Sequence, residues 1–432
     1  MTAPARRAPR AVLRVTGRRA LPPGRVPRTL RAAVPALLLF LAARALGLAV
    51  ILLLSRGTAG YTLHRLAVHW DAAWYLDIAR HGYDHAIRPA LPGQHRAYTN
   101  LAFFPLYPAL IRLVHTLLPL LPWGAAGLLT TGLCSLAAAW GIHAAVAHRY
   151  GSRVATVAVL LWGVAPTAVI ESAGYSESAF TALAAWALFA VLRRRWIAAG
   201  TLALLAGLTR PTGVAVAAAV LAAAAVEVCA QLPRPGLGRG RPARLGAAER
   251  TDRVGGLEPP VRRVPLWRPV VAAALAPAGW LGFVAWTALR LHRWDAYFQI
   301  QALWKTRFDF GHTTAADFKM LFTRGTPVNL YVPVVGCVLI AAVVLLAATV
   351  AQRQPLPFLV LSLVMVVIAL GDAAYFSSRA RFLLPAFPLL LPIASGLARL
   401  RNRAVLVSVL ASAAACSALY GAYVVLYAPS PP

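Results

Sequence analysis

Residues 32–54 read AAVPALLLFLAARALGLAVILLL. This apolar run exceeds the roughly 20 residues that cross the hydrocarbon core of a bilayer. It is also too long for the apolar core of a cleaved signal peptide. On its N-terminal side the chain is basic and carries no acid, from Arg6 and Arg7 to Arg28 and Arg31. That asymmetry reads as a cytoplasmic arm, residues 1–31, holding the first span with its N-terminus inside. Beyond the run the pattern repeats. Apolar stretches fall near 124–147, 154–171, 177–192, 196–209, 212–231, 269–289, 329–350, 356–376, 382–398 and 404–427. With 59% hydrophobic residues, the chain reads as an all-α integral membrane protein of about eleven transmembrane helices.

The net charge of +30 would fit nucleic-acid binding, but its placement argues otherwise. The arginines sit in short clusters between apolar runs, which is the positive-inside pattern. With the N-terminus inside, the cytoplasmic connections hold Arg149 and Arg153, Arg193 to Arg195, the 233–268 linker, Arg353, and Arg399, Arg401 and Arg403. The linker is rich in Pro, Gly and Arg and reads as flexible. It divides the spans into an N-terminal membrane block, 32–232, and a C-terminal block, 269–427. The stretch 101–122 is broken by Pro105, Pro108, Pro119 and Pro122 and carries Arg112 and His115. If it spanned, every later arginine cluster would face outward, so it reads as a helix lying in the outer interface. Two long outer loops result, 55–123 and 290–328. Asp71, Asp77, Asp84, Glu171, Glu177, Asp295, Asp309, Asp317 and Asp372 then fall on or near the outer side, with only Glu227, Glu249, Asp252 and Glu258 inside. Such sorting is what an outward-facing polar site in a cell membrane would produce. Alanine and arginine are abundant and only Lys305 and Lys319 represent lysine, a composition typical of a GC-rich bacterial genome.

The first outer loop opens with His69-Trp70-Asp71-Ala72-Ala73-Trp74-Tyr75. Trp and Tyr mark a membrane–water interface, and an ionisable residue placed there is expensive unless something uses it. A helix over 69–80 would put Trp70, Trp74 and Asp77 along one side. The competing reading is an amphipathic interfacial helix with an incidental acid. Asn100 precedes Phe103-Phe104-Pro105-Leu106-Tyr107-Pro108 as a candidate helix cap. In Tyr175-Ser176-Glu177-Ser178, Ser176 is a candidate N-cap and Glu177 suits a positive helix end. Glu171 and Glu177 flank one short outer turn. Leu208-Thr209-Arg210-Pro211 breaks an apolar run, and an arginine at that depth calls for a partner, either a first-loop carboxylate or a ligand phosphate. Arg379 and Arg381 lie outside, against the positive-inside trend, where two guanidiniums can clamp a phosphate; lipid-headgroup contact is the plainer alternative. His81 and His85 have helical metal spacing, but no matching acid or cysteine frame accompanies them. No metal and no other cofactor is therefore expected. Cys134, Cys229, Cys337 and Cys416 each lie within an apolar run and read as small packed residues. A Gly-rich phosphate loop, a GxSxG motif and an HExxH motif are all absent, which argues against a soluble sugar-nucleotide donor.

Taken in order, five motifs resemble the bacterial branch of the PIG-V type mannosyltransferases, integral membrane glycosyltransferases of the GT-C class. They are Trp70-Asp71-x-x-Trp74-Tyr75, Phe103 to Pro108, Tyr175 to Ser178, Leu208 to Pro211, and Arg381-Phe382 with Phe387-Pro388. The resemblance runs from about residue 35 to about 400. It implies a GT-C-like fold with interfacial helices in the first outer loop and Asp71 as the catalytic residue. It also implies a lipid-linked donor such as polyprenyl-phosphate mannose. Eukaryotic members build glycolipid anchors, so the acceptor here stays open among glycan, lipid and protein. The 233–268 linker looks like an insertion. Chemically, transfer from a lipid phosphate needs a base but no general acid, because the leaving group is already good. The expected roles are Asp71 as base and Arg210, Arg379 and Arg381 on the donor phosphate. Glu177 would orient the sugar or pair with an arginine, and Trp70, Trp74, Tyr75 and Tyr175 would position sugar and acceptor. The competing class is a transporter or lipid flippase, for which inverted repeats and paired broken helices would be the signature. The sequence shows neither.

Overall fold

The computed structural model describes residues 28–55, 57, 59–87, 99–232, 264–304, 306–323, 329–373 and 375–429. The basic arm up to residue 27 and the linker from 233 to 263 lie outside the described residues. The opening apolar run forms α1 (Arg28–Leu54), whose helix starts within the basic stretch. The first long loop holds α2 (Ala59–Val68), α3 (Asp71–His81) and α4 (Leu106–Leu117). Then follow α5 (Trp123–Tyr150), α6 (Ser152–Gly163), α7 (Glu177–Leu192), α8 (Trp196–Gly207) and α9 (Val214–Gln231). Beyond the linker come α10 (Trp267–Arg290), then α11 (Ala296–Leu303) and α12 (His312–Thr323) of the second long loop. The chain closes with α13 (Tyr331–Ala351), α14 (Leu356–Gly371), α15 (Arg379–Phe382), α16 (Leu391–Ala398) and α17 (Arg403–Leu426). Among the described residues the only extended pairing is a bridge between Phe308 and Asp372.

Each of the eleven apolar runs contains a helix, but their lengths differ. Helices α1, α5, α10, α13 and α17, and α9 with the preceding turn, are long and apolar enough to cross a membrane. The pair 376–382 and 387–398, bent by 79°, would make a seventh span. Helices α6, α7, α8 and α14 have 12 to 16 residues, about 18–24 Å at 1.5 Å per residue, less than the roughly 30 Å core. The sequence reading counted them as full spans because apolar composition continues past the point where the helix stops. Residues 154–171 show why: α6 ends at Gly163 before Pro166, and the chain goes on as a turn and a 3-10 helix over 168–172. Helix α4, at 12 residues, is likewise too short to cross.

The main core joins both blocks through Phe40, Trp162, Phe180, Leu188, Phe358 and Phe387. Trp162 donates its ring N–H to the Leu384 carbonyl at 3.1 Å, fixing α6 to the bend after α15. Helix α8 lies close against α10 through glycine. A Cβ on Gly200 would come within 2.7 Å of Ala272 Cα, one on Gly207 within 2.7 Å of the Trp280 nitrogen, and one on Gly279 would strike the Leu204 carbonyl. Small residues let two backbones approach where lipid offers no hydrophobic drive.

Both long loops sit at one end of the bundle, where direct contacts tie them to the shorter connections. Leu106 N–H donates to Leu208 O at 2.9 Å, Arg290 Nε to Asp84 O at 2.7 Å, and Gln301 to Ala102 O at 3.3 Å. The arginine-bearing connections meet one another elsewhere: Arg194 pairs with Glu227 at 2.7 Å, and Arg153 donates to Leu400 O at 2.7 Å. Gly279→Val should therefore overpack the α8–α10 crossing and cost about 1–3 kcal/mol. Gly282→Ala, whose Cβ meets open space, should be nearly neutral. Thermal unfolding of the purified protein checks this; equal midpoints for the two variants would contradict the close crossing.

Candidate active site

Helix α3 begins at Asp71, two residues later than the spacing predicts, and ends at His81. Trp70 stands outside it in the cap position with φ 53° and ψ −122°. A bulky residue at positive φ is strained, and such strain persists only where the surroundings impose it. The turn aims the Asp71 side chain into the bundle. There Asp71 Oδ2 meets Arg381 Nη2 at 2.7 Å. Arg381 Nε in turn lies 3.6 Å from Glu177 Oε1, and that same oxygen pairs with Arg210 Nη1. Four charges from α3, α7, α15 and the turn before α9 thus form one chain, two acids against two arginines.

Burial distinguishes the two acids. The Glu177 side chain is 1% exposed and the Arg381 and Arg210 side chains 6% and 9%, whereas Asp71 is 22% exposed. Glu177 is the internal counter-ion of both guanidiniums, and Asp71 is the carboxylate that an outside molecule can reach. Aromatic faces support the cations: Arg381 lies 5.0 Å over Tyr175 and 5.4 Å over Phe382, and Arg210 lies 5.5 Å over Phe382. Ser176 occupies the cap position of α7 but makes no cap bond. Its hydroxyl instead bonds Tyr75 Oη at 2.7 Å and accepts from Arg210 at 3.4 Å. Burial holds the Tyr75 and Tyr175 phenols well above their ordinary value, so both stay protonated.

Trp74 forms a second wall, stacked on Phe103 at 5.9 Å and edge-on to Trp304 of the second loop at 5.2 Å. The structure thus gathers Asp71, Trp74, Tyr75, Tyr175, Glu177, Arg210 and Arg381 at one place, with Trp70 at its rim. Asn100, expected as a cap, is instead a buried fastener of the first loop. Its side-chain N–H groups donate to Asp77 at 3.0 Å and to Gly82 O at 3.1 Å, and its carbonyl accepts from Asp84 N–H at 2.9 Å. Thr99 does the capping, accepting from Leu101 N–H at 3.2 Å.

Arg379 is not brought to this site. Its side chain, 0% exposed, donates to Thr314 and lies 3.8 Å from Asp317 on α12. The expected two-arginine clamp does not form, because residues two apart on a helix point to different sides. Arg381 therefore reaches the first long loop and Arg379 the second. Glu171 also turns away from Glu177, to Arg44 of α1 at 3.7 Å. Arg44 further donates to the Gly163 and Ala168 carbonyls, bracing the break after α6. The sequence reading missed Arg44, although a lone arginine inside an apolar run is a signal for a buried acid partner. The histidines do not pair with each other: His81 Nδ1 meets Asp77 at 3.0 Å and His85 meets Arg290 at 3.3 Å. Among the described residues no three His, Cys, Asp or Glu side chains gather at metal-binding distance.

Residues 54–232 match the family model described as Mannosyltransferase (PIG-V). That segment carries the Asp71, Glu177 and Arg210 motifs. The chain is also 35% identical over 158 residues to GPI alpha-1,6-mannosyltransferase 2 of Mus musculus. That match covers 33% of this chain and 29% of the mouse protein. In three dimensions the fold is similar to that of ArnT from Cupriavidus metallidurans in its apo state, with a TM-score of 0.50 at 16% identity. The similarity covers 89% of this chain and 64% of ArnT. The chain thus has an ArnT-like fold, and the segment that matches the family model supplies three of the four charges in the cluster. Arg381 comes from the C-terminal block, beyond the matched segment.

Glu177→Ala would leave two buried guanidiniums short of one counter-ion and should cost about 3–5 kcal/mol. Asp71→Asn, at a more exposed position, should cost clearly less. Unfolding midpoints of the two variants check this ordering, and its reversal would contradict the assignment of Glu177 as internal counter-ion. Asn100→Leu removes the amide that bonds Asp77, Gly82 and Asp84 and should cost about 1–3 kcal/mol. Hydrogen exchange over residues 71–87 should rise in that variant; unchanged protection would refute the fastening role.

Proposed function

We propose that this membrane protein is a glycosyltransferase that moves a sugar, mannose on the family likeness, from a polyprenyl-phosphate donor to an extracytoplasmic acceptor. The observation that carries the reading is the Asp71–Arg381–Glu177–Arg210 chain of charges at the end of the bundle that holds both long loops. The matched PIG-V domain, the mannosyltransferase relative and the GT-C fold support the same chemistry. The placement of positive charge along the sequence supports an inside N-terminus and an outside site.

In this reading the acceptor hydroxyl binds beside Asp71, the one acid of the cluster open to the outside. Asp71 takes the hydroxyl proton as the oxygen attacks the anomeric carbon. The bond from that carbon to the phosphate oxygen breaks, and polyprenyl phosphate leaves with the electron pair. Arg381 orients Asp71 through its 2.7 Å contact and faces the developing negative charge, while Arg210 reinforces it through Glu177. Trp70, Trp74 and Tyr75 shape the space around the sugar. One direct displacement inverts the anomeric centre, so a β-linked donor gives an α-linked product. Arg379 serves the second outer loop and not the donor.

The decisive experiment incubates membranes holding the wild type or Asp71→Asn with radiolabelled polyprenyl-phosphate mannose and analyses the labelled products. Transfer should fall at least about a hundredfold in the variant, the usual scale for losing a general base. Turnover like the wild type's would end the case for Asp71.

A further inference from the structure

Arg210 and Arg381 are already balanced by Glu177 and Asp71, so the excess positive charge that attracts an anion must come from elsewhere. Arg65, near the end of α2, supplies it. Among the described residues it has no carboxylate at ion-pair distance, and its Nε is buried without a hydrogen-bond partner. Two further buried polar atoms share this condition, His69 Nδ1 and the Tyr175 hydroxyl. All three side chains line one crevice of about 10 Å³, room for one water until it widens, with Trp70 as a wall and Val169 and Val424 behind. Tyr175 is held there because Gly174 N–H donates to the Leu66 carbonyl at 3.0 Å. The phenol, 1% exposed, is a donor without an acceptor. Buried polar atoms without partners cost free energy, so Arg65 Nε, the Tyr175 hydroxyl and, in its Nδ1–H tautomer, His69 together mark a place for an acceptor-rich group.

A second small groove shares Val169 with the crevice and lies between α1 and α17, bordered by Gly47, Leu48, Ile51, Ala418 and Gly421. Helices α1 and α17 are the least covered of the long apolar helices, with 11% and 17% of their apolar windows buried. Only the Trp70–Asp71 step separates the crevice from the Asp71 carboxylate, and the Tyr175 ring faces Arg381 at 5.0 Å.

We propose that Arg65, His69 and Tyr175 seat the phosphate of the lipid-linked donor and that the groove between α1 and α17 takes its polyprenyl chain. The proposal rests on the donor class argued above. Arg65 makes the charge-assisted contact with a phosphate oxygen, and the Tyr175 hydroxyl donates to a second. His69 contributes a ring N–H. This seat would hold the carrier at the edge of the site, while the charge cluster handles the transfer.

The test is equilibrium binding of radiolabelled polyprenyl phosphate to the purified full chain in detergent, with polyprenol and phosphatidylglycerol as competitors. Arg65→Gln should weaken binding about tenfold, the scale of one hydrogen bond to a charged group. Arg65→Lys should keep part of the affinity, and Tyr175→Phe should lose several-fold. Asp71→Asn, which frees the Arg381 charge, should bind at least as tightly as the wild type. A Cβ at Gly47 meets open space, so Gly47→Phe should fill the groove and weaken binding without lowering the unfolding midpoint. Neither competitor should displace the ligand efficiently. Unchanged affinity in a folded Arg65→Gln protein would overturn the phosphate seat, and unchanged affinity in Gly47→Phe the chain path. Equal competition by phosphatidylglycerol would reduce the crevice to a general anionic-headgroup contact and overturn the proposal. A wild type that transfers mannose yet binds no polyprenyl phosphate would instead sink the donor class itself.

Discussion

Glu177 is the constraint on which the site depends. A carboxylate so deeply buried is unfavourable unless its charge is answered, and here two guanidiniums answer it. Those two arginines come from opposite halves of the chain, Arg210 before the linker and Arg381 far beyond it. The cluster therefore does more than balance charge. It fixes the position of α15 relative to α7, and through the 2.7 Å contact with Asp71 it fixes the start of α3. Replacing such a network by apolar residues need not destabilise a protein, so its value lies in orientation rather than in net stability. A reacting carboxylate benefits from that orientation, because small misplacements near the chemistry reduce rate steeply.

The same short helix serves both long loops. Arg381 engages the first through Asp71, and Arg379 engages the second through Thr314 and Asp317. The second loop is also pinned to the end of α14, where Asp309 N–H donates to Gly371 O and Ala373 N–H to Arg307 O, each at 2.8 Å. Trp74 and Trp304 close the contact between the loops from above. The roof of the site is thus built from both blocks, which accounts for motifs spread across most of the chain.

Much of this was legible in the sequence, for identifiable reasons. Apolar runs announce helices by composition alone, and all eleven were found. An acid between tryptophans, or an arginine inside an apolar run, is anomalous enough to mark itself, and the structure brings Asp71 and Arg210 into one charge cluster. What failed were inferences about direction and partnership. Ser176 and Asn100 had the residue type and place of caps, yet tertiary partners claimed both side chains. Arg379 and Arg381 looked like one clamp because two positions in sequence are close, while helical geometry sends them apart. The count of eleven spans is not confirmed where proline and glycine stop helices inside apolar stretches, as at Gly163. The pairing of Arg44 with Glu171 lies more than a hundred residues apart, a separation that periodicity does not report.

The central claim is that Asp71 acts by accepting a proton in a single displacement and not by attacking the sugar itself. The anomeric configuration of the bond formed from a β-linked polyprenyl-phosphate donor tests this most directly, read by NMR of the isolated product. A product of α configuration is the predicted result. A β-linked product would require two successive displacements through a sugar bound covalently to a carboxylate, and would contradict the account.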